Sequence, residues 1–247
     1  MTETSPTATD IPAGPYWGLD TPEATAAFRA LIDASLQEVP ADRRLEIASD
    51  STTHIYFVRA GWLIVSKSTL EGHRQIVDFL LPGQILDPGS AQATHTSTDL
   101  STLTDATLAL IPRADWARLP QDHPSVQAHF DRRLAASYSR IAERMLRLGQ
   151  GRAETRIAHA LCELRLRSTE LGLVEDAPFH IPLTRQVLGD FAGLSSVHVS
   201  RTFRRLRRQG LMSHGDHMDI VIHDIDRLAE IAEIDPVDLR RAIIATA

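Results

Sequence analysis

The chain has 247 residues, 43% of them hydrophobic, with 26 Lys plus Arg against 32 Asp plus Glu and a formal net charge of −6. This length suits one to two domains with a proper core. No apolar run approaches the roughly 18–20 residues that span a bilayer, and a single cysteine, Cys162, excludes an iron–sulfur cluster held by several thiolates.

Residues 1–20 are rich in Thr, Pro and Ala and carry neither a basic nor an apolar signal segment, so they read as a disordered leader on a cytoplasmic protein. A helix is expected over Pro22–Glu38. Strand-like runs follow at Leu45–Ala48, His54–Val58, Trp62–Ser68, Gln75–Leu80, Leu100–Leu103 and Thr107–Ile111, with turns at Arg59-Ala60-Gly61 and Glu71-Gly72-His73. Short strands between glycine turns predict a sandwich or roll over residues 21–120. A short helix starts at Pro112-Arg113-Ala114-Asp115-Trp116.

Across Asp122–Gly149 the residues Val126, Phe130, Leu134, Tyr138, Ile141, Met145 and Leu148 step by three or four. That is an apolar stripe along a helix of about seven turns. Such a helix needs a partner along its length. Phe130, Leu134, Tyr138, Ile141, Met145 and Leu148 are the expected dimer interface over residues 121–149, with packing on the chain's own strands as the alternative. After Gly149-Gln150-Gly151 a further amphipathic helix is expected over Ala153–Leu171.

Residues 150–247 hold the most informative segment. Thr184 follows an extended run and is a good N-cap. Val187, Leu188 and Phe191 form one face of a short helix, Gly193 breaks it, and Ser195 caps the next. Val199, Phe203 and Leu206 then make a buried stripe, and Gly210 closes the helix. Two helices around a glycine turn match a helix-turn-helix. The second carries five arginines, Arg201, Arg204, Arg205, Arg207 and Arg208, in eight residues. Residues near its N-terminus reach base edges in the usual docking. Arg201 suits guanine O6 and N7, Val197 suits a thymine methyl, and Ser196 and Ser200 suit bases or phosphates. Arg204, Arg205 and Arg208 lie further along and suit phosphates. Leu211-Met212 and Ile220-Val221-Ile222 flank His214-Gly215-Asp216-His217 and read as a hairpin, or wing, with the two histidines at a solvent-exposed tip. Residues 1–149 hold 13 Lys plus Arg and 18 Asp plus Glu (−5) and residues 150–247 hold 13 and 14 (−1), so DNA affinity must come from this focused patch.

The run Leu183-Thr184-Arg185-Gln186, Gly189, Gly193-Leu194-Ser195, Val199-Ser200-Arg201, Leu206 and Gly210-Leu211 resembles the DNA-binding domain of the bacterial Crp/Fnr superfamily. Gly61, Phe79-Leu80-Leu81-Pro82-Gly83 and Leu108–Pro112 resemble its β-roll. The resemblance implies an α+β fold: an N-terminal double-stranded β-helix (a jelly-roll-like β-roll), a long dimerisation helix and a C-terminal winged helix-turn-helix. It implies a transcription regulator, not an enzyme, that acts as a homodimer on an inverted-repeat operator in double-stranded DNA. RNA polymerase and an unidentified small-molecule effector are its further partners. It makes Arg185, Gln186, Ser195 and His198 phosphate contacts, and Ser196, Val197, Ser200 and Arg201 base contacts; Thr184, beside them at the start of the first helix, is a further expected phosphate contact. Val197 stands where the family commonly has Glu, and His198 where it has Thr, which implies a target site of its own.

Cyclic-nucleotide-binding members carry a Gly-Glu-Leu segment followed by an Arg-Ser or Arg-Thr pair. The matching region here is Gly83-Gln84-Ile85 through Thr96-Ser97, and no arginine lies between Arg74 and Arg113. A buried phosphate without a cation is costly, so cyclic AMP and cyclic GMP are not expected, and no cofactor is assigned. The alternatives are a haem or metal sensor using His54, His73 or His95, and a cupin-like metal enzyme. The latter lacks the His-x-His pair it would need in residues 1–149.

Overall fold

The computed structural model describes residues 19, 21–45, 54–88, 98–173, 179–215 and 220–244. They divide into two compact units, the first comprising residues 1–67 and 78–130 and the second residues 68–77 and 131–247. The leader apart from Leu19, the expected strand beyond Leu45, His95 and His217 lie outside the described residues; Leu19, expected in a disordered leader, is buried in the core of the first unit.

In the first unit, helix α1 (Pro22–Asp33) precedes strands β1 (Leu36–Val39), β2 (Arg44–Leu45), β3 (His54–Ala60), β4 (Leu63–Ser68), β5 (Arg74–Leu80), β6 (Ile85–Leu86), β7 (Asp99–Thr102) and β8 (Ala106–Pro112). β5 begins in the second unit and ends in the first. Two four-stranded sheets run in the orders β1-β8-β3-β6 and β2-β7-β4-β5. Short helices α2 (Arg113–Trp116) and α3 (Leu119–Asp122) follow. α1 has Thr21 as N-cap, accepting from the Ala24 N–H at 3.1 Å, and Pro22 in its first turn. Its buried residues Ala24, Phe28 and Ile32 share a core with Ile55, Phe57, Ala109 and Ile111. The Phe28 ring meets Phe57 edge-on with centroids 5.8 Å apart.

Two expectations change here. The first helix stops at Asp33, not Glu38, because Leu36–Val39 pairs with the edge of β8, from Leu36 opposite Ala109 to Val39 opposite Ala106. Helix propensity is a weak prior that such pairing overrides. Phe130 packs against the core of the first unit, its ring 4.6 Å from Trp116 and 5.9 Å from Phe28.

Helix α4 (Pro124–Gln150) belongs to the second unit from Asp131 onward. It is followed by α5 (Ala153–Glu170), β9 (Phe179–Ile181), α6 (Arg185–Ala192), α7 (Ser196–Arg208), β10 (Met212–His214), β11 (Ile220–Ile222), α8 (Ile225–Ala232) and α9 (Pro236–Ile243). Along α4, Leu134, Tyr138 and Met145 are 72%, 74% and 66% exposed, while Ile141 and Leu148 are half-buried. α8 packs along α5, and β9 adds a third antiparallel strand beside β11. No helix among the described residues is long and apolar enough to cross a membrane.

The interior of this unit is held by charge. Arg144 of α4 donates from Nε and Nη2 to the two carboxylate oxygens of Glu163 on α5, at 3.1 and 3.0 Å. Arg167 donates to the same carboxylate at 3.2 Å. Arg144 also donates to the Val77 carbonyl and lies 4.4 Å from the centre of the Phe191 ring. Arg140 reaches the Ile243 carbonyl of α9 at 3.3 Å.

His159, one turn before Glu163, is buried, and its Nε2 has no hydrogen-bond partner among the described residues. Burial holds its pKa below 6.5, against the opposing pull of the Glu163 carboxylate. Below pH 6.5 the unfolded chain therefore takes up a proton that the folded imidazole refuses, and folding stability falls with pH in that window. His159→Leu is expected to remove this component, flattening the dependence of the unfolding midpoint on pH between about pH 7 and 5. Denaturant titrations across that range measure it.

Candidate nucleic-acid interface

α6 and α7 form a tight corner whose geometry is written in local sequence. The Thr184 hydroxyl accepts from the Val187 N–H at 3.1 Å and starts α6. Gly193 ends it in the left-handed region at φ +63°, and the Leu194 N–H returns to the Gly189 carbonyl at 2.9 Å. Ser195 caps α7, its hydroxyl accepting from the His198 N–H at 3.4 Å and lying 2.9 Å from His198 Nδ1. Val187, Leu188 and Phe191 are buried on α6, and Val199, Phe203 and Leu206 on α7, as the apolar spacing requires.

The opposite face of α7 is open. Ser196, Val197, His198, Arg201, Arg204, Arg205, Arg207 and Arg208 are exposed, and Ser200 is half-buried. Val197 is 56% exposed. A cleft of about 410 Å³ runs between this helix, the start of α6 and the wing, lined by Thr184, Arg185, Gln186, Ser196, Ser200 and His214. The structure thus gathers three of the residues expected at phosphates with two expected at bases.

Other placements were not legible in advance. Arg205 is ion-paired to Glu154 of α5 at 3.0 Å, so its guanidinium is shared with the protein's own carboxylate. Arg205, Arg207 and Arg208 also occupy the last turn of α7, where cations offset the partial negative charge of a helix C-terminus. His214 does not stand free at a tip: it is half-buried, its ring 5.8 Å from that of Phe203. The wing is as expected in its strands, with Met212 opposite Ile222 and His214 opposite Ile220.

The remaining candidate ligands fall elsewhere. His54 is half-buried at the start of β3, and His73 is exposed 3.7 Å from Glu71. Cys162 is buried on α5, and burial pushes its thiol up to about 12, with Asp226 adding to the shift. In the β-roll the Arg113 guanidinium pairs with Asp87, Nη1 to Oδ2 at 3.2 Å.

A helix-turn-helix with an arginine face, followed by the β10–β11 hairpin that pairs with β9, defines a winged-helix DNA-binding domain. Residues 155–231 match the Crp-like helix-turn-helix domain, and residues 36–123 match the cyclic nucleotide-binding domain. The chain is 30% identical over 164 residues to the transcriptional regulatory protein Btr of Bordetella pertussis, covering 66% of this chain and 67% of that protein. It is 30% identical over 169 residues to the nitrogen fixation regulation protein FixK of Bradyrhizobium diazoefficiens, covering 67% and 70%. The solved structure of FixK2 from Bradyrhizobium japonicum superposes with a TM-score of 0.68 at 23% identity, covering 80% of this chain and 96% of that one. The c-di-GMP-responsive regulator CLP of Xanthomonas campestris gives 0.65 at 18% identity, covering 81% and 99%. The chain belongs to the Crp/Fnr family of transcription regulators; its relatives regulate transcription and are not enzymes.

The α6–α7 corner depends on close approach at Gly189, where an added Cβ would lie 2.7 Å from the Leu194 carbonyl oxygen and 3.3 Å from Val199 Cγ2. Gly189→Ala must push the two helices apart. It is expected to cost about 1–3 kcal/mol in denaturant unfolding.

Proposed function

We propose that the protein is a homodimeric, sequence-specific regulator that places α7 of each protomer in successive major grooves of an inverted-repeat operator. The observation that carries this reading is the division of α7 into a buried Val199, Phe203 and Leu206 side and an open side bearing Val197, Arg201, Arg204 and Arg208. On it, Ser196, Val197, Ser200 and Arg201 meet bases. Arg201 grips a guanine bidentately and Val197 packs on a thymine methyl. Thr184, Arg185, Gln186, Ser195, His198, Arg204, Arg205 and Arg208 meet phosphates and set the register. Arg205 divides its charge between phosphate and Glu154.

Dimerisation runs through α4. Leu134, Tyr138, Ile141, Met145 and Leu148 alternate by four and three residues, the spacing of a coiled-coil seam, and the three most exposed are large and apolar. The seam starts after Phe130, whose ring serves the core of the first unit.

A cyclic nucleotide is not the expected ligand of the β-roll. The sequence has no Lys or Arg between Arg74 and Arg113, and Arg113 is paired with Asp87. The β-roll therefore serves as a dimer scaffold or takes a small molecule of another chemical class. The protein works in the cytoplasm on promoter DNA, alongside RNA polymerase.

Selection of bound sequences from random DNA, with and without cell extract, tests the reading. An inverted repeat with half-sites about one helical turn apart is the expected product, and unselective recovery rejects it. Arg201→Ala is expected to reduce specific affinity by about 1–3 kcal/mol and flatten the preference at one base pair, while Arg208→Ala weakens all sequences evenly and lowers the salt slope by about one. Replacing Leu134 and Met145 together by Asp is expected to give monomers in sedimentation and to abolish the preference for paired half-sites.

A further inference from the structure

The segment Ser68–Val77, part of the second unit, touches α6 at two neighbouring residues. Arg74 donates from Nε and Nη2 to Asp190 Oδ2 at 2.9 and 2.7 Å. Gln75 donates from Nε2 to the Phe191 carbonyl at 3.1 Å, serving a carbonyl in the last turn of α6. The other oxygen of Asp190, Oδ1, accepts from Gln186 Nε2 at 2.8 Å. Asp190 thus has one oxygen on a cation and the other on an amide, with its side chain only 14% exposed.

Gln186 occupies the first turn of α6 and lines the cleft beside Ser196 and Ser200. Its carboxamide has two N–H groups. Asp190 takes one, which fixes the plane of the amide, and the second remains for a phosphate oxygen. The same carboxylate without its cation would stand one turn from the phosphates with a full negative charge. Repulsion at that range is within a Debye length and would weaken DNA binding.

We propose that Arg74 is a positioning residue for DNA binding, acting through Asp190: it cancels the carboxylate charge and lets Asp190 hold the Gln186 amide in a donating pose. This rests on the assignment of α6 and α7 as the DNA interface. DNA affinity then depends on where the Ser68–Val77 segment lies, although no residue of that segment needs to touch DNA.

The test uses the full-length protein and a labelled mixed-sequence duplex of about 30 base pairs, roughly three helical turns, at about 50 and 200 mM salt. Arg74→Ala is expected to weaken binding about two- to fivefold at the lower salt, with the gap narrowing at the higher. Arg74→Lys keeps the charge and is expected to retain most of the affinity. Adding Asp190→Asn to Arg74→Ala removes the uncovered charge while leaving an acceptor for Gln186, and is expected to restore binding. Neutralising an unpaired carboxylate would also relieve a purely structural defect, so thermal melts are read alongside: a loss of affinity in Arg74→Ala that follows a lowered melting temperature overturns the proposal, as does failure of the rescue. Wild-type affinity in Arg74→Ala also overturns it. If Arg208→Ala weakens the duplex while Arg74→Ala does not, the relay alone is wrong. If neither does, the interface is wrong and the relay falls with it.

Discussion

One buried guanidinium sets the geometry of the DNA-binding unit. Arg144 joins α4 to α5 through Glu163, reaches the Val77 carbonyl and rests on the Phe191 ring of α6. A planar, permanently charged group with donors in a fixed fork suits such a multiple contact, where lysine would offer a single point charge. Burying it is costly unless its donors are met, and Glu163, shared with Arg167, meets several of them at 1% side-chain exposure. The direct consequence is directional. The helix that carries the exposed Leu134, Tyr138 and Met145 stripe is tied to the first helix of the corner that presents α7. A dimer formed along α4 would therefore fix the separation of two α7 helices, and half-site spacing would be decided by packing far from any base.

The corner itself was legible from sequence because its determinants are local. Thr184 and Ser195 as caps, Gly193 as the left-handed turn, and the Val199, Phe203 and Leu206 stripe all act within a few residues of one another, and the structure places each where the spacing requires. The ion pairs that tune the corner were not legible. Arg144 with Glu163, Arg205 with Glu154 and Arg74 with Asp190 join residues that the topology brings together, and neither charge in any pair carries a local signature. The same applies to Leu36–Val39, whose sequence continues a helical pattern until an open strand edge captures it, and to Phe130, which has the period of an outward stripe but meets Trp116 and Phe28. The family resemblance found the architecture correctly. It carried no information about Gly189, whose importance lies in a 2.7 Å approach to one carbonyl.

Electrostatics in this protein work by local cancellation. Residues 150–247 carry 13 Lys plus Arg and 14 Asp plus Glu, close to neutral. Glu154 of α5 and Asp190 of α6 are each held by an arginine. On the open face, Arg201 near the middle of α7 and Arg208 in its last turn have no acidic partner among the described ion pairs. Acids beside the corner thus offset some of its arginines, while the open face of α7 keeps Arg201, Arg204 and Arg208 exposed.

All the cations on that face are arginines, and Lys67 is the only lysine in the chain. Arginine keeps its proton throughout the physiological range, and lysine acetylation, the common way of erasing a side-chain charge, has no target on α7. The charge of this helix face therefore does not titrate away in that range. A change in its attraction for a polyanion would come from the geometry that delivers the helix, or from a carboxylate that covers it as Glu154 covers Arg205, rather than from loss of an arginine proton.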